Sequence, residues 1–473
     1  MLAAATIITG CSQDPETEYQ YVSLSEAVCS FLGTGNQPLI ITVDASPAEW
    51  TAEPNSSWVK AEKGEDGTTL TITVTDNDSD AERNATITVT AASASQDITV
   101  YQLPMDNTIN HYRMPRTWQK GCVVSPSGKW IAGFTNQALE GDQWNYYPTY
   151  INTETGEEIK TGPFSSSLFK LSQPWAVTDT GILYITDNEN GGNVIFDIDG
   201  NYTLSEPLEG YEDKKPNVTG VSADGTIMVG WAFKRDGSGT LGKGLYHPLI
   251  WENGVCRELP MPAKDFDGND YSVGIMARGC STDGNVIYGT TWDNSRGGMV
   301  YWKNGEVKYV GEDVRSIDTK TIDGVTYSIG SGFICQAEKY KISPSGRYIC
   351  GTYNKNTINE VGSVVTESHP AVFDTETETS IIIDELSGQC DHVTDDGITF
   401  VTQNRSCTVY DINSRTVIGD MPSYVKEKYG LHVDNMIVNY VSPDGKVIMG
   451  TGIEDLVTGG GRIVPWFITP PVL

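Results

Sequence analysis

No stretch of the 473 residues approaches the run of about 20 apolar side chains that crosses a bilayer as a helix. Positive charge is scarce too: Lys and Arg number 32 against 62 Asp and Glu, a formal charge of -30 at pH 7. Such a surface repels a phosphate backbone, which excludes nucleic acid as a partner. Histidine is rare, with 5 residues, and the 9 cysteines form neither a C-x-x-C pair nor a Cys/His cluster, so no zinc site is expected. G-x-S-x-G, H-E-x-x-H and phosphate-loop signatures are missing, and no cofactor is expected. What the chain has is 49 Gly, 22 Pro, 23 Tyr, 11 Phe and 11 Trp, the composition of short strands joined by tight turns rather than of helices. At roughly 100 to 200 residues per domain, the length predicts two units or one large all-β domain.

The chain opens MLAAATIITGCSQDPETE, an apolar stretch too short to span a membrane that ends in small residues before Cys11. I-T-G-C resembles a bacterial lipobox, in which the cysteine becomes the lipid-modified first residue of the mature protein. The acids that follow, Asp14, Glu16 and Glu18, resemble the surface-export signal of Bacteroidetes lipoproteins. The resemblance implies that residues 1–18 are signal and acidic tether, with lipidation at Cys11 and a lipid anchor in the outer membrane or at the cell surface. No Lys or Arg precedes the apolar run, which suggests a start site placed too late; the alternative is an internal start codon upstream of an unlipidated Cys11. The other eight cysteines, an even number at irregular spacing, suit either disulfides in an oxidising compartment or buried thiols.

From about Gln37 to Leu103 the runs LIITVDA, TLTITVT, NATITVT and QDITVYQ alternate apolar and polar residues and are rich in Thr and Val, as strands of a β-sandwich are. Trp50 and Trp58 in W-T-A-E-P-N-S-S-W-V, Asn77 ahead of Arg83 in R-N-A-T-I-T-V, and the closing I-T-V-Y-Q resemble the BACON domain, an immunoglobulin-like module of Bacteroidetes surface proteins. That places a sandwich at residues 19–103. The family name implies carbohydrate binding, yet Trp50 and Trp58 read as core positions, and a spacer role fits equally.

A turn motif then recurs: VSPSG from Val124, VTDTG from Val177, VSADG from Val221, CSTDG from Cys280, ISPSG from Ile342, VTDDG from Val393 and VSPDG from Val441. A β-rich run ending in glycine follows five of them, and Asp/Ser-Gly between two such runs is a hairpin signal. Four antiparallel strands recurring in this way predict the blades of a seven-bladed β-propeller over residues 104–473. The pattern resembles HAF-type repeats and departs from WD40 repeats. The seventh repeat ends at PWFITPPVL without a fourth strand, so residues 109–115, INHYRMP, are predicted to supply it and close the ring.

The connections between second and third strands are long, and long loops on one face of a scaffold are where binding resides. They carry the candidate ligand-binding residues Asp142, Trp144, Tyr146, Tyr147, Arg235, Tyr246, Trp292, Asp293, Arg296, Tyr353 and Arg462. Aromatic faces beside carboxylates and guanidinium groups suit a polyhydroxylated ligand, a glycan or glycoprotein. No catalytic residue stands out: His247 and His369 hold the same place in two repeats, directly before a proline, which reads as structural repetition. Asp265, Asp267, Asn269 and Asp270 in DFDGND form a weak metal candidate, because Gly268 is misplaced for an EF-hand and the bidentate Glu is absent. The leading expectation is a non-catalytic, glycan-binding surface lipoprotein; the alternatives are a glycan-degrading hydrolase or lyase and a structural subunit of an outer-membrane protein complex. Cys11→Ala is expected to move the protein from the membrane pellet to the soluble fraction, and its retention in detergent-extractable membranes would contradict the lipobox reading.

Overall fold

Alternating side chains over the first hundred residues give strands with one buried face, and the repeats beyond them give hairpins. A computed structural model describes residues 20–79, 81–104, 110–113, 122–139, 143–211, 215–235, 244–272, 274–291, 298–335, 339–404, 406–429, 432–433, 436–456 and 460–469. The protein is all-β, and its chain divides into two compact units, the first of Met1–Met105 with Asp455–Gly460, the second of Asp106–Glu454 with Gly461–Leu473.

The first unit holds two four-stranded sheets, one in the order Tyr21–Leu24, Leu39–Ser46, Thr69–Val74, Val59–Lys63, the other in the order Val28–Phe31, Ala94–Gln102, Arg83–Ala91, Thr51–Pro54. Along Arg83–Ala91 every second residue from Ala85 onward is buried, the period of a pleated strand with one face inward. Both sheets contribute to one cluster that includes Ile41, Leu70, Ile72, Ile87, Val89 and Ile98. Trp50 belongs to this core, its Nε1 donating to the Gly67 carbonyl at 2.8 Å, and Trp58 packs against the core with the Arg83 guanidinium 4.4 Å from its ring. The polar motif residues form a hub beneath the strand ends. The fully buried Gln102 donates to the Leu32 and Thr75 carbonyls at 3.0 and 2.9 Å and accepts from Arg83 Nε at 2.8 Å. Asn77, also buried, donates to the Leu103 carbonyl at 3.0 Å. These bonds satisfy buried backbone groups that would otherwise cost about 1–3 kcal/mol each.

Seven antiparallel sheets make up the second unit among the described residues. The recurring turn explains their first hairpins. In VSADG the Ser222 hydroxyl accepts from the Ile227 amide at 3.0 Å and donates to Asp224 Oδ1 at 2.7 Å, while Asp224 accepts from the Thr226 amide at 3.0 Å. Gly225 supplies the positive φ, 72°, that lets the chain reverse there. The glycine ending the following strand has a different cause: a Cβ on Gly450 would lie 2.1 Å from the Ile437 carbonyl oxygen and 2.7 Å from the Trp466 ring.

Apolar clusters are shared by neighbouring sheets, and the first sheet (Cys122, Val124, Ile131, Ile151) shares one with the seventh (Tyr440, Val447, Met449, Phe467). The last sheet takes its fourth strand from far upstream. Asn110–Arg113 runs antiparallel to Gly460–Thr469, with Tyr112 opposite Phe467 and Arg113 opposite Trp466.

The structure departs from the four-strand expectation in four ways. The first sheet carries a fifth strand, Phe164–Ser165, paired with Trp144–Asn152. The fifth sheet has five strands in the order Ser316–Ile322, Val325–Ile334, Tyr348–Ile358, Val364–Asp374, Thr379–Ile382. Its extra hairpin turns at Asp323 and Gly324, whose φ of 50° and 79° suit the tight reversal between two strands. A helix, Met421–Tyr429, interrupts the strands; Asp420 Oδ1 accepts from the Ser423 amide at 2.9 Å as its N-cap, and Met421, Val425 and Tyr429 bury one side. The long connections between second and third strands are largely strand. Trp130–Ala138 pairs with Trp144–Asn152, and Tyr348–Ile358 with Val364–Asp374, because alternating polar residues pair across them, as Ser368 Oγ does with Asn354 Oδ1 at 2.7 Å. No disulfide joins any two of the eight described cysteines, and Cys29, Cys122, Cys350, Cys390 and Cys407 among them are buried.

One ion pair is wholly inside. Lys341 and Asp391, each 2% exposed, lie 3.3 Å apart, and Lys341 Nζ also donates to the Cys390 carbonyl at 2.7 Å. Next to them His392 is fully buried, its Nδ1 2.8 Å from the Tyr340 carbonyl. Burial pushes its imidazole down to about 4, the Lys341 charge acting the same way and the Tyr340 bond opposing.

Two outcomes follow from this architecture. Deleting residues 109–115 exposes the edge of Gly460–Thr469 and is expected to lower the urea midpoint and raise light scattering, whereas deleting residues 19–103 leaves the second unit's unfolding transition in place. His392 takes up its proton near pH 6.5 when unfolded and near 4 when folded, so its contribution is complete above pH 6.5 and is lost as pH falls toward 4, by about 3 kcal/mol in all. His392→Leu should remove that much of the pH dependence of the unfolding free energy across this window.

Candidate functional site

The innermost strands of the second unit enclose a small axial cavity of about 70 Å³, lined by Trp175, Thr219, Arg278, Tyr288, Lys339 and Tyr440 among others. Trp175 and Arg278 also line a wider recess of about 580 Å³, so the two spaces share a wall. Three successive sheets build the recess. The second contributes Trp175 and the turn Asn188, Glu189, Asn190; the third contributes Asn217, Trp231 and Tyr246; the fourth contributes Met276 and Arg278. Lys215 completes it from the connection into the third sheet.

Each side chain is held for a local reason. Trp175 Nε1 donates to Thr186 Oγ1 at 2.7 Å, which fixes its indole. Trp231 follows the repeat glycine Gly230 and meets Tyr246 edge to face, ring centroids 5.2 Å apart at 82°; Phe233 braces Tyr246 from the other side at 5.2 Å. Arg278, 4% exposed, donates from Nε to the Thr290 hydroxyl oxygen at 3.1 Å. Burial pushes the Tyr246 phenol up while the Arg278 charge pulls it back. The turn over the recess is organised by Asp187, which accepts from the Lys170 and Glu189 amides at 3.0 and 2.9 Å and from Asn190 Nδ2 at 2.7 Å. Glu189 is paired with Lys170 Nζ at 2.8 Å. Gly192 permits this fold, since a Cβ there would lie 2.8 Å from Lys215 Cβ.

Of the candidates named from the sequence, Tyr246 lines this recess. Trp144 is exposed at the start of its strand, on the first sheet. Tyr146 is a core residue, packed between Phe134 and Phe169 with centroids 5.8 and 6.2 Å away, because the segment expected as loop is strand with one face inward. Tyr147 donates to Gln137 Oε1 at 3.0 Å beneath Lys160 Nζ, 4.5 Å from its ring. Arg235 is exposed at the end of a strand of the third sheet, and Tyr353 packs on Phe333 in the fifth. Asp142, Trp292, Asp293 and Arg296, like Cys11, lie outside the described residues, as does the side chain of Arg462.

The DFDGND acids do not converge. Asp265 accepts from the Asn269 amide at 2.7 Å, Asp267 from the Gly330 amide at 2.8 Å, and Asp270 pairs with Lys264 at 2.6 Å. Among the described residues no group of three His, Cys, Asp or Glu could hold a metal.

The repeated histidines have carboxylate partners on the fourth strand of their own sheet or just beyond it. His247 Nδ1 lies 3.1 Å from Glu258 Oε2, and His369 Nδ1 lies 3.8 Å from Asp384 Oδ1. Tyr211 donates to the other Glu258 oxygen. Burial raises the Glu258 carboxyl, but the Tyr211 and His247 bonds and the nearby charges more than offset it and leave it low. This cluster is not part of the recess.

Sequence reasoning missed Trp175, Trp231, Lys215 and Arg278. The available signal was two basic residues and two indoles on or beside strands that are otherwise largely small or apolar, in a chain with few cations.

Residues 48–103 match the BACON family, described as "Putative binding domain, N-terminal". No curated protein matches the chain. Among solved structures, TolB from Acinetobacter baumannii is 13% identical over 72% of this chain and 60% of its own, with a TM-score of 0.28. The Dos1 propeller is 11% identical over 76% of this chain and 95% of its own, at 0.33. A Bacteroides ovatus GH5 xyloglucanase is 22% identical over 24% and 30%, at 0.16. The chain therefore spans less than two thirds of the TolB chain and less than a third of the xyloglucanase. The neighbours include a β-propeller, and with all three TM-scores below 0.5 the likeness reaches no further than that.

Proposed function

We propose that the protein is a lipid-anchored surface protein that binds a glycan or glycoprotein without turning it over. In this reading Cys11 carries the lipid in the outer membrane, the first unit is an immunoglobulin-like BACON sandwich acting as spacer, and the seven sheets are the blades of a propeller closed by residues 109–115. The recess carries the reading. Trp231 and Tyr246 offer ring surface for sugar C–H faces, and Asn188, Asn190 and Lys215 offer hydrogen bonds for hydroxyls, the pairing of apolar wall and few polar groups typical of small-molecule sites. Its volume lies within the roughly 300–1,000 Å³ such sites occupy. A hydrolase would need an acid and a base free to meet the scissile bond. The two carboxylates here, Asp187 and Glu189, are committed to shaping the turn.

Calorimetric titration of the full chain with plant, host and microbial oligosaccharides is expected to give binding without reducing-end release. Trp231→Ala should weaken that binding about tenfold, equivalent to the roughly 1.4 kcal/mol that one aromatic face supplies, with melting controls to confirm folding. Silence across the panel overturns the binding reading, and reducing-end release overturns its non-catalytic part.

A further inference from the structure

The extra hairpin of the fifth sheet leaves a long open edge. Ser316–Ile322 has seven residues and pairs on one side only, with Val325–Ile334, whereas the outermost described strands of the seven sheets have three to five. The turn fixes which backbone groups face outward. A two-residue reversal at Asp323 and Gly324 makes Ile322 and Val325 the closing pair that exchanges both backbone bonds, and the exchange recurs at every second pair: Lys320 with Tyr327, Asp318 with Ile329, Ser316 with Ser331. The alternate residues Ile317, Thr319 and Thr321 therefore turn their N–H and C=O groups away from the hairpin. Gly330, opposite Ile317, shows the same phase on the other strand, its amide donating outward to Asp267 Oδ1 at 2.8 Å. Among the described residues nothing bonds to the outward groups of Ile317, Thr319 and Thr321. An edge without proline or bulge is a template for another strand, and this one has neither.

We infer that a second copy of the chain pairs with Ser316–Ile322, antiparallel and two-fold about Thr319, joining two hairpins into one sheet. In that register Thr319 faces the partner's Thr319 and Ile317 faces the partner's Thr321, so every outward N–H and C=O of these residues finds its bond. Between them Asp318 lies opposite the partner's Lys320 in a pair without backbone bonds, where facing side chains come closest, and two-fold symmetry makes that contact twice. Charge also fixes the register. Sliding the copies by two residues, the smallest slip that keeps the backbone bonds, sets Asp318 against Asp318 or Lys320 against Lys320. Both charges can serve. Lys320 Nζ is held by Glu360 Oε1 at 2.7 Å, a surface pair whose carboxylate is 93% exposed, and Asp318 gives Oδ2 to the Ile358 amide at 2.8 Å, which leaves Oδ1. Ile317, 43% exposed in the single chain, is covered by the facing strand. One strand pair buries little surface, so the dimer belongs to the weak class.

Sedimentation equilibrium of the full chain tests this. A monomer–dimer equilibrium is expected with a Kd on the order of 10 to 100 μM, weakening as salt rises. Thr319→Pro removes an amide that faces outward and that the hairpin does not use, so it should leave the melting temperature unchanged and raise the Kd at least about tenfold. Lys320→Glu and Asp318→Lys should each weaken self-association by a similar factor, because each sets like charges opposite one another. An equal mixture of these two variants restores opposite charges at both contacts and should dimerise about as tightly as the unaltered chain. A variant weakened only through its own folding gains nothing from such mixing, so the rescue reports the facing pair itself. A chain that stays monomeric to about 300 μM overturns the inference, even where its edge captures an extended peptide of another protein. A dimer that Thr319→Pro leaves intact overturns it too, as does a mixture that associates no better than either variant alone.

Discussion

The second unit depends on a single hydrogen bond, buried or half-buried, made seven times. A serine or threonine hydroxyl accepts the backbone amide that starts the next strand: Ser125 from Trp130, Thr178 from Ile182, Ser222 from Ile227, Ser281 from Val286, Ser343 from Tyr348, Thr394 from Ile398 and Ser442 from Val447, all at 2.9 to 3.2 Å. The bond fixes the reversal and hence the register of each first hairpin, and register decides which side chains face the neighbouring sheet. The turns also tie one sheet to the next. The Ser127 hydroxyl reaches Asp179 Oδ1 at 2.8 Å, Ser345 reaches Asp395 at 2.6 Å, and Tyr440 reaches back to the Pro126 carbonyl at 2.8 Å. Repetition of a local rule thus becomes a rule between repeats.

Local rules are also what a sequence displays, which explains what was legible. The turn serines, the reversing glycines and the alternation of the first unit act over fewer than ten residues, and each could be read directly. The pairing of Asn110–Arg113 with the last strand was legible because one repeat lacked a strand and one unassigned segment resembled it. The recess was not. Trp175, Trp231 and Arg278 come from three repeats and Lys215 from the connection into one of them, and only the arrangement of sheets brings them together. Aromatic residues in the long connections misled for a related reason: once those connections form strands, alternate residues turn inward, and Tyr146 becomes core. The helix after Asp420 was hidden because it replaces a segment of ordinary length between two recognisable turns, whereas the extra hairpin at Asp323 and Gly324 fills the longest interval between repeat turns, Cys280 to Ile342.

The two units treat polar residues differently. In the first, Asn77, Arg83 and Gln102 spend their hydrogen bonds on backbone carbonyls and on one another, so the residues that make the motif recognisable are those that hold the strand ends. In the second, several polar groups border open space, and two of the cations rest against an indole. Side chains from separate sheets accordingly converge along the inner strands of the second.

The four-residue pairing between Asn110–Arg113 and Gly460–Thr469 has a mechanical and a temporal side. A ribosome must release the chain through Thr469 before this pairing can form, so until then Asn110–Arg113 waits without its partner strand. Once formed, it is the point where tension applied through the N-terminal segment enters the second unit. With the pull directed along the strands, the hydrogen bonds of this short antiparallel pair bear load together instead of peeling one at a time, and the unit resists as a clasp would.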